Sequence, residues 1–258
     1  MIVIVTGMHR SGTSALAGLL HQNGISMGEE KDFFPPPAPE NPRGFYENIH
    51  FRRINDALVE KSGYKIKSWN PDIPPIKAGF RIRRQMNRTL RAQNGKSEHW
   101  GWKDPRNCLT LQIWLEQARK IGLLQQCRIV FIIRNPFAVA ESMVRRGNTF
   151  YENALCLWRG YNLLAIRVLD TIDSNRFYCV NFEALCSQPA ETAAKILRFL
   201  TMTRHSAVKT GFIEPRLTRS SKTKALDVVD RQFRNEIEAL YTEFKETMNR
   251  LAASKEVQ

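Results

Sequence analysis

Two glycines bracket a short loop near the start of the sequence, between an apolar strand pattern and an apolar helix pattern. These residues, Gly7 and Gly12, permit a tight turn that directs backbone N–H groups inward. The helix that follows adds the positive end of its dipole. Arg10 contributes a permanent charge with a planar fork of donors, and Thr13 and Ser14 contribute hydroxyls. The pattern predicts a binding site for a phosphate or sulfate group.

The same loop has the spacing of a nucleotide phosphate-binding loop, in which four residues separate two glycines. Nucleotide triphosphatases require a lysine directly after the second glycine, whereas this chain has Thr13 there. The missing lysine argues against hydrolysis of ATP or GTP. The alternative is an ordinary tight turn in which Thr13 only caps the helix.

A second arginine follows another strong strand pattern. Arg134 directly follows the apolar run 128–133, and Asn135 and Pro136 then provide the cap and first turn of a helix. Ser142 lies about two turns into that helix, where a hydroxyl on an apolar face needs a hydrogen-bond partner. This motif predicts a second anion site. Alternatively, Arg134 pairs with a carboxylate and Ser142 bonds to a helix carbonyl.

Short β-branched runs alternate with longer amphipathic segments along the chain. The runs predict strands at 2–6, 99–103, 128–133 and 177–181. The amphipathic segments predict helices at 13–23, 105–120, 136–146, 151–172, 189–201 and about 227–252. This alternation predicts an α/β fold with three layers, P-loop-like, in which helices flank a central parallel sheet. Both anion motifs fall at carboxyl ends of strands, where such sheets bind ligands.

The length of 258 residues fits a single domain over 1–258 with two insertions. The insertion at 31–48 is rich in proline and aromatic residues, and we expect it to wrap the site. The insertion at 71–95 is basic and carries five arginines within 81–91. This basic segment could be a helix that faces an acidic acceptor or an anionic membrane, or it could be a solvated face.

Composition narrows the class of protein. The chain has 39 Lys and Arg against 25 Asp and Glu, a net charge of +14, and 43% hydrophobic residues, which excludes disordered, collagen-like and disulfide-stapled classes. No apolar run approaches the roughly 18 residues that cross a bilayer, and we expect a cytoplasmic protein. The five cysteines form no Cys-x-x-Cys pair, which predicts reduced thiols and no metal site. The charge favours anionic partners.

The segment Gly-x-x-Arg-Ser-Gly-Thr-Ser resembles the 5′-phosphosulfate loop of sulfotransferases that use 3′-phosphoadenosine 5′-phosphosulfate (PAPS). It is most similar to the tyrosylprotein and carbohydrate branches, since the soluble small-molecule branch usually has lysine in place of Arg10. The strand that ends in Arg-Asn-Pro, with a serine eight residues after the arginine, resembles the family's 3′-phosphate motif. The resemblance implies PAPS as co-substrate and adenosine 3′,5′-bisphosphate as product. It assigns nucleotide binding to His9, Arg10, Ser11, Gly12, Thr13, Ser14, Arg134 and Ser142.

A later basic segment resembles the loop that closes over the nucleotide in this family. It adds Arg216 and Arg219 as expected nucleotide contacts. For the transfer itself, Arg10 is expected to stabilise the leaving phosphate. Lys103, in a Lys-Asp-Pro segment, resembles the lysine that stabilises the transition state in tyrosylprotein sulfotransferases. The alternative for Lys103 is a surface lysine before a well-capped helix.

The candidate base is Glu30. Its neighbour Glu29 and the following Phe-Phe pair would raise its pKa, and Glu-x-x-Phe-Phe resembles a pattern of carbohydrate sulfotransferases. The alternatives are Glu47, His9 and His50. Glu47 and Arg43 lie on the loop that is expected to meet the acceptor.

These patterns predict metal-independent transfer of a sulfuryl group from PAPS to a hydroxyl or amine. Aromatic residues in 33–46 could stack on a sugar, which favours a carbohydrate or lipid-linked acceptor. The chain could also contact an anionic membrane or an acidic glycan. The rival hypotheses are a P-loop kinase of a small molecule and a non-catalytic protein that binds polyanions or nucleic acid. No recognition helix or aromatic RNA-binding pattern supports a specific nucleic-acid partner.

Overall fold

The computed structural model describes residues 1–38, 41–202, 207–213 and 229–256. Within these ranges, four parallel strands form one sheet in the order β2-β1-β3-β4. The strands are β1 (Ile2–Thr6), β2 (Trp100–Lys103), β3 (Cys127–Ile133) and β4 (Phe177–Asn181). Val5 of β1 pairs with Lys103 of β2, and Thr6 pairs with Phe131 of β3. The carboxyl ends of these three strands therefore meet at one edge of the sheet.

Among the described residues, α-helices lie between the strands and after the last strand. They are α1 (Thr13–Gln22), α2 (Ile49–Lys61), α3 (Phe80–Gln93), α4 (Asn107–Lys120), α5 (Pro136–Arg145), α6 (Tyr151–Leu169), α7 (Phe182–Ser187), α8 (Pro189–Phe199) and α9 (Arg231–Glu256). No helix among the described residues combines the length and the apolarity that crossing a bilayer requires.

The sheet is buried on both faces, as a parallel sheet covered by crossover helices should be. Along β1, Ile2 and Ile4 point into one core cluster, and Val3 and Val5 point into the other. The first cluster contains residues of α2 to α6 and α9, and the second contains residues of α1, α7 and α8. The result is the predicted α/β fold with a central parallel sheet between two layers of helices.

The strand predictions are confirmed to within one residue at each end. Helix α4 begins at Asn107, two residues later than predicted, because the carboxylate of Asp104 accepts a hydrogen bond from the backbone N–H of Arg106. Residues 104–106 therefore form a turn ahead of the helix. The basic segment is helix α3, whereas α2 and α7 were not predicted. Arg216 and Arg219 lie outside the described residues.

Candidate active site

A cleft of about 760 Å³ opens where β1, β2 and β3 end. Three cations at the carboxyl ends of these strands line it: Arg10 after β1, Lys103 as the last residue of β2, and Arg134 directly after β3. The proline-rich insertion also lines the cleft, through Pro35, Ala38, Asn41, Pro42, Arg43, Phe45 and Glu47. The sequence motifs that predicted anion sites thus share one cavity with the segment that was expected to wrap it.

The glycine-bracketed loop has the tight backbone that its sequence predicts. Arg10 and Gly12 adopt left-handed conformations with φ of 68° and 88°. A Cβ atom on Gly12 would lie 2.2 Å from the ring of Phe182, so only glycine fits there. The buried hydroxyl of Ser11 has no hydrogen-bond partner among the described residues. The loop therefore holds a donor that a bound anion could satisfy.

The two anion motifs are in direct contact. One guanidinium nitrogen of Arg134 (Nη1) donates to the backbone carbonyl of Arg10 at 2.9 Å, across 124 residues of sequence. Arg10 in turn donates from Nε to the Ser142 hydroxyl at 2.9 Å. The Ser142 hydroxyl therefore accepts a hydrogen bond from Arg10 of the first motif, whereas the alternative interpretation expected it to bond only to a helix carbonyl. Hydrogen bonds therefore connect Arg134, Arg10 and Ser142 into one group, in which the two arginines carry the positive charge.

Arg134 is held in a largely buried setting, with 8% of its surface exposed. Its guanidinium lies 4.5 Å from the centre of the Phe182 ring, and the indole N–H of Trp158 donates to its carbonyl. Burial lowers the pKa of Arg134, and the nearby carboxylate of Glu183 opposes that effect. A bound anion would stabilise this desolvated cation further.

Lys103 is a buried lysine and not the surface lysine of the alternative interpretation. Its side chain is 1% exposed and its ammonium donates to Glu47 Oε1 at 2.9 Å and to the carbonyl of Phe45 at 3.0 Å. Strand β2 carries Lys103 to the carboxyl edge of the sheet, and the proline-rich insertion carries Glu47 to it. The contact joins two segments that are 56 residues apart in sequence.

Two further arginines surround Glu47. Its second oxygen, Oε2, accepts from Arg52 Nη1 at 3.0 Å and lies 3.6 Å from Arg106 Nη1. Arg106 also pairs with Asp104 at 2.8 Å and with Asp56 at 2.7 Å. Together with Lys103, three cations therefore fix the Glu47 carboxylate where it lines the cleft.

The fully buried side-chain amide of Asn55 is hydrogen-bonded to the Asp104 carboxylate that pairs with Arg106. Asn55 of α2 donates to the carboxylate of Asp104 at 2.9 Å and accepts from the indole of Trp114 at 2.8 Å. Burial alone would raise the pKa of Asp104, but Arg106 and the hydrogen bond from Asn55 outweigh burial, and the pKa is lowered. Asp104 is therefore an anion that orients Arg106.

His9 lines the cleft and is partly buried among cations and aromatic rings. Its ring makes edge contacts with Trp69 and Tyr161 at centroid distances of 5.3 and 5.8 Å. The pKa of His9 is lowered to about 3, first by burial and then by the charge of Arg106, which outweighs the opposing effect of Asp104. His9 is thus a neutral imidazole at physiological pH.

Glu30, the candidate base from the sequence, does not line this cleft. It lies in a short exposed turn, Glu30–Asp32. The neighbouring carboxylates were expected to raise each other's pKa, but a hydrogen bond from Lys31 lowers the pKa of Glu29 instead. The sequence could not show that Glu30 stays exposed despite the Phe33–Phe34 pair that follows it.

The other acceptor-side candidates differ in position. His50 is exposed, lies 3.5 Å from Asp32 and does not line the cleft. Arg43 does line it, with its guanidinium 2.5 Å from the carbonyl of Gly211 and 5.3 Å from the centre of the Phe212 ring. Of the four alternatives for acceptor contact or base, the structure therefore brings Glu47, Arg43 and His9 to the cleft.

Sequence reasoning missed three residues that shape the site. Arg106 directly follows the Lys-Asp-Pro segment, so its position beside Lys103 was open to inference. Arg52 lies in the first turn of α2, five residues after Glu47, and recognising the start of α2 would have placed it near that carboxylate. Trp69 lines the cleft from a turn between α2 and α3, and no pattern in the sequence signalled it.

The sequence profile of the sulfotransferase family matches residues 3–206. The chain therefore belongs to the sulfotransferase family. No curated protein matches it in sequence. The resemblance to the tyrosylprotein and carbohydrate branches within the family stays a prediction.

Solved structures show the same fold. The sulfotransferase domain of the Synechococcus PCC 7002 olefin synthase is 18% identical, with 93% of this chain and 94% of that chain covered and a TM-score of 0.53. The sulfotransferase domain of the curacin biosynthetic pathway is 16% identical, with coverage of 93% and 97% and a TM-score of 0.56. A sulfotransferase from Alicyclobacillus acidocaldarius is 16% identical, with coverage of 97% and 95% and a TM-score of 0.52.

Proposed function

We propose that this sulfotransferase transfers a sulfuryl group from PAPS to an acceptor, and that the acceptor group is a hydroxyl in preference to an amine. The observation that supports the donor is that Arg10 and Arg134 line one cleft and are connected by hydrogen bonds, with Ser142 behind them as the partner of Arg10. PAPS carries anionic groups on the 3′ and 5′ positions of one ribose, and two adjacent arginine motifs match that distribution of charge.

The residues of the cleft suit such a donor. The loop 9–14, with the buried Ser11 hydroxyl that has no partner among the described residues, would hold the 5′-phosphosulfate. Arg134 and Ser142 would hold the 3′-phosphate. Arg216 and Arg219 stay predicted contacts. When bound, the donor supplies a sulfuryl group whose bond to a phosphate oxygen breaks as the acceptor oxygen bonds to sulfur.

The chain's own residues supply positioning, charge and a base. Lys103 and Arg10 provide donors for the negative charge that develops on the transferred group and on the leaving phosphate. Glu47 takes the proton from the acceptor hydroxyl. A carboxylate has about four lone-pair sites, and Lys103 and Arg52 each donate one hydrogen bond to Glu47, so its oxygens can accept a further hydrogen bond from the acceptor hydroxyl. Arg106 is a positioning residue for Glu47.

The acceptor side of the cleft presents flat and apolar surfaces beside cations. Phe45, Trp69 and Ile66 line it together with Arg43 and Lys67. Aromatic faces suit sugar rings, and the cations suit an acceptor that carries negative charge. A carbohydrate or lipid-linked acceptor is therefore the class that this surface supports best.

Calorimetry with adenosine 3′,5′-bisphosphate tests the donor site. The wild-type protein should bind it without magnesium and more tightly than ATP. Arg10→Ala and Arg134→Ala should each weaken binding at least about tenfold, because each loses a charge-assisted hydrogen bond worth about 1.5–3 kcal/mol. Arg119→Ala, at the exposed end of α4, removes the same charge away from the cleft and is the matched control.

Two results would reject this assignment. One is unchanged nucleotide affinity in both cleft variants. The other is magnesium-dependent binding of ATP that exceeds binding of adenosine 3′,5′-bisphosphate, which would favour the kinase hypothesis.

A further inference from the structure

Helix α3 carries a straight line of exposed arginines. Arg81, Arg84, Arg88 and Arg91 follow one another at spacings of three, four and three residues, which places them on one helix face. The line is about 15 Å long at a rise of about 1.5 Å per residue. No residue of α3 lines the cleft, so this face is separate from the candidate active site.

The opposite face of α3 fixes the orientation of this arginine line. Ile82, Met86 and Leu90 are buried in the core that α3 shares with α2 and α4. Because these three residues anchor the helix, the arginines are held toward solvent. They are a permanent feature of the surface and not one orientation of a loosely attached segment.

The arginine line has no acidic counterpart on its own helix. Helix α3 contains no Asp or Glu, and none of the four arginines makes an ion pair within the described parts of the chain. Arg83, which lies off the line, does pair with Glu116 at 3.1 Å. An ordinary solvated helix face mixes both signs of charge, whereas this one presents a single sign.

An exposed aromatic ring extends the same face. Phe80 begins α3 with 78% of its surface exposed. It lies four and eight residues before Arg84 and Arg88, and therefore on the arginine side. A ring that is exposed beside arginines matches the chemistry of a membrane interface, where the cations contact anionic headgroups and the ring enters the acyl boundary. A soluble polyanion would use the arginines but would leave Phe80 in water.

We propose that the arginine line and Phe80 form a docking surface for an anionic phospholipid bilayer. Each arginine near such a surface contributes about a fivefold increase in affinity. The inference does not depend on the donor or on the base, because none of its residues contacts the cleft.

Sedimentation with vesicles tests this surface. The wild-type protein should sediment with vesicles of phosphatidylcholine and phosphatidylglycerol but not with phosphatidylcholine alone, and added salt should release it. Arg84→Glu/Arg88→Glu should reduce binding by more than about 25-fold, from two arginines at about fivefold each. Arg84→Gln/Arg88→Gln removes charge without reversing it and should reduce binding by about 25-fold. Phe80→Ser should also weaken binding.

The matched control is Arg119→Glu/Lys120→Glu, which makes the same change in net charge at the exposed end of α4. It should retain most of the vesicle binding. Equal loss of binding in the control, or no binding by the wild type, would overturn the proposal. It would also be overturned if Phe80→Ser left vesicle binding unchanged while heparin competed fully. Calorimetry with adenosine 3′,5′-bisphosphate on each variant separates this result from the donor site, because nucleotide affinity should not change.

Discussion

Glu47 is a buried carboxylate whose two oxygens already bind Lys103 and Arg52. Such a group has a fixed position, which a base must have to receive a proton along one direction. It also depends on its neighbours, because removing the carboxylate leaves Lys103 buried without its anionic partner. The pair therefore acts as one unit in the proposed chemistry.

Glu47→Gln should lower the turnover of an acceptor by at least about 100-fold, the usual minimum for loss of a general base. Lys103→Ala should also lower turnover, because it removes a donor to the transferred group. Both variants should retain binding of adenosine 3′,5′-bisphosphate, which calorimetry checks. Glu30→Gln is the matched control outside the cleft and should keep near-normal turnover. Full activity in Glu47→Gln with loss in Glu30→Gln would return the base to the exposed turn.

At the scale of elements, the turn between β3 and α5 determines where Arg134 lies. The side chain of Asn135 accepts hydrogen bonds from the backbone N–H groups of Phe137 and Ala138 at 3.0 and 3.2 Å, and Pro136 occupies the first helical position. The cap fixes the exit of the strand and the start of the helix together.

Asn135→Ala should reduce the free energy of unfolding by about 1 kcal/mol, the usual cost of losing an N-cap. Asn135→Ser restores a capping oxygen and should recover most of that loss. Denaturant unfolding measures both variants. If the alanine and serine variants were equally stable, the cap would not contribute.

The elements that the sequence predicted are those with strong local patterns. Strand β3 is a continuous apolar run, and α5 has a cap and a proline at its start, so both were found to within one residue. Helix α2 was missed because it follows a proline-rich loop, although Phe51, Ile54 and Leu58 have helical spacing and are buried. The short α7 has too few residues to show a period.

The same distinction applies to the site. Arg10 and Arg134 lie in local motifs that determine their own backbone, so sequence alone placed each at the end of a strand. The contact between Glu47 and Lys103 depends on how a long insertion folds over the sheet, which local patterns do not specify. For that reason the sequence favoured Glu30, which has the more suggestive neighbours but lies outside the cleft.

At the scale of the whole molecule, the partly buried His9 links stability to pH. The pKa of His9 falls from 6.5 to about 3 in the folded protein, chiefly through burial and then through Arg106. Between those pH values the unfolded chain binds a proton at this residue and the folded chain does not. The folded state therefore becomes less stable as pH falls through this window.

For His9 alone, the free energy of unfolding should decrease by about 1.4 kcal/mol per pH unit below the ordinary histidine value, until the folded group also protonates. His9→Gln removes this titration, so its stability should fall less steeply with acid than that of the wild type. Denaturant unfolding at a series of pH values compares the two slopes. Parallel slopes would show that His9 does not control acid sensitivity.

The aromatic wall of the cleft offers an optical signal. Trp100, Trp102, Trp114 and Trp158 are buried, whereas Trp69 is partly exposed beside His9. A small collisional quencher in solution reaches an indole only through solvent. Its effect on the emission of the native protein therefore reports mainly on Trp69, and any molecule that fills the cleft shields that fluorophore without the need for a label.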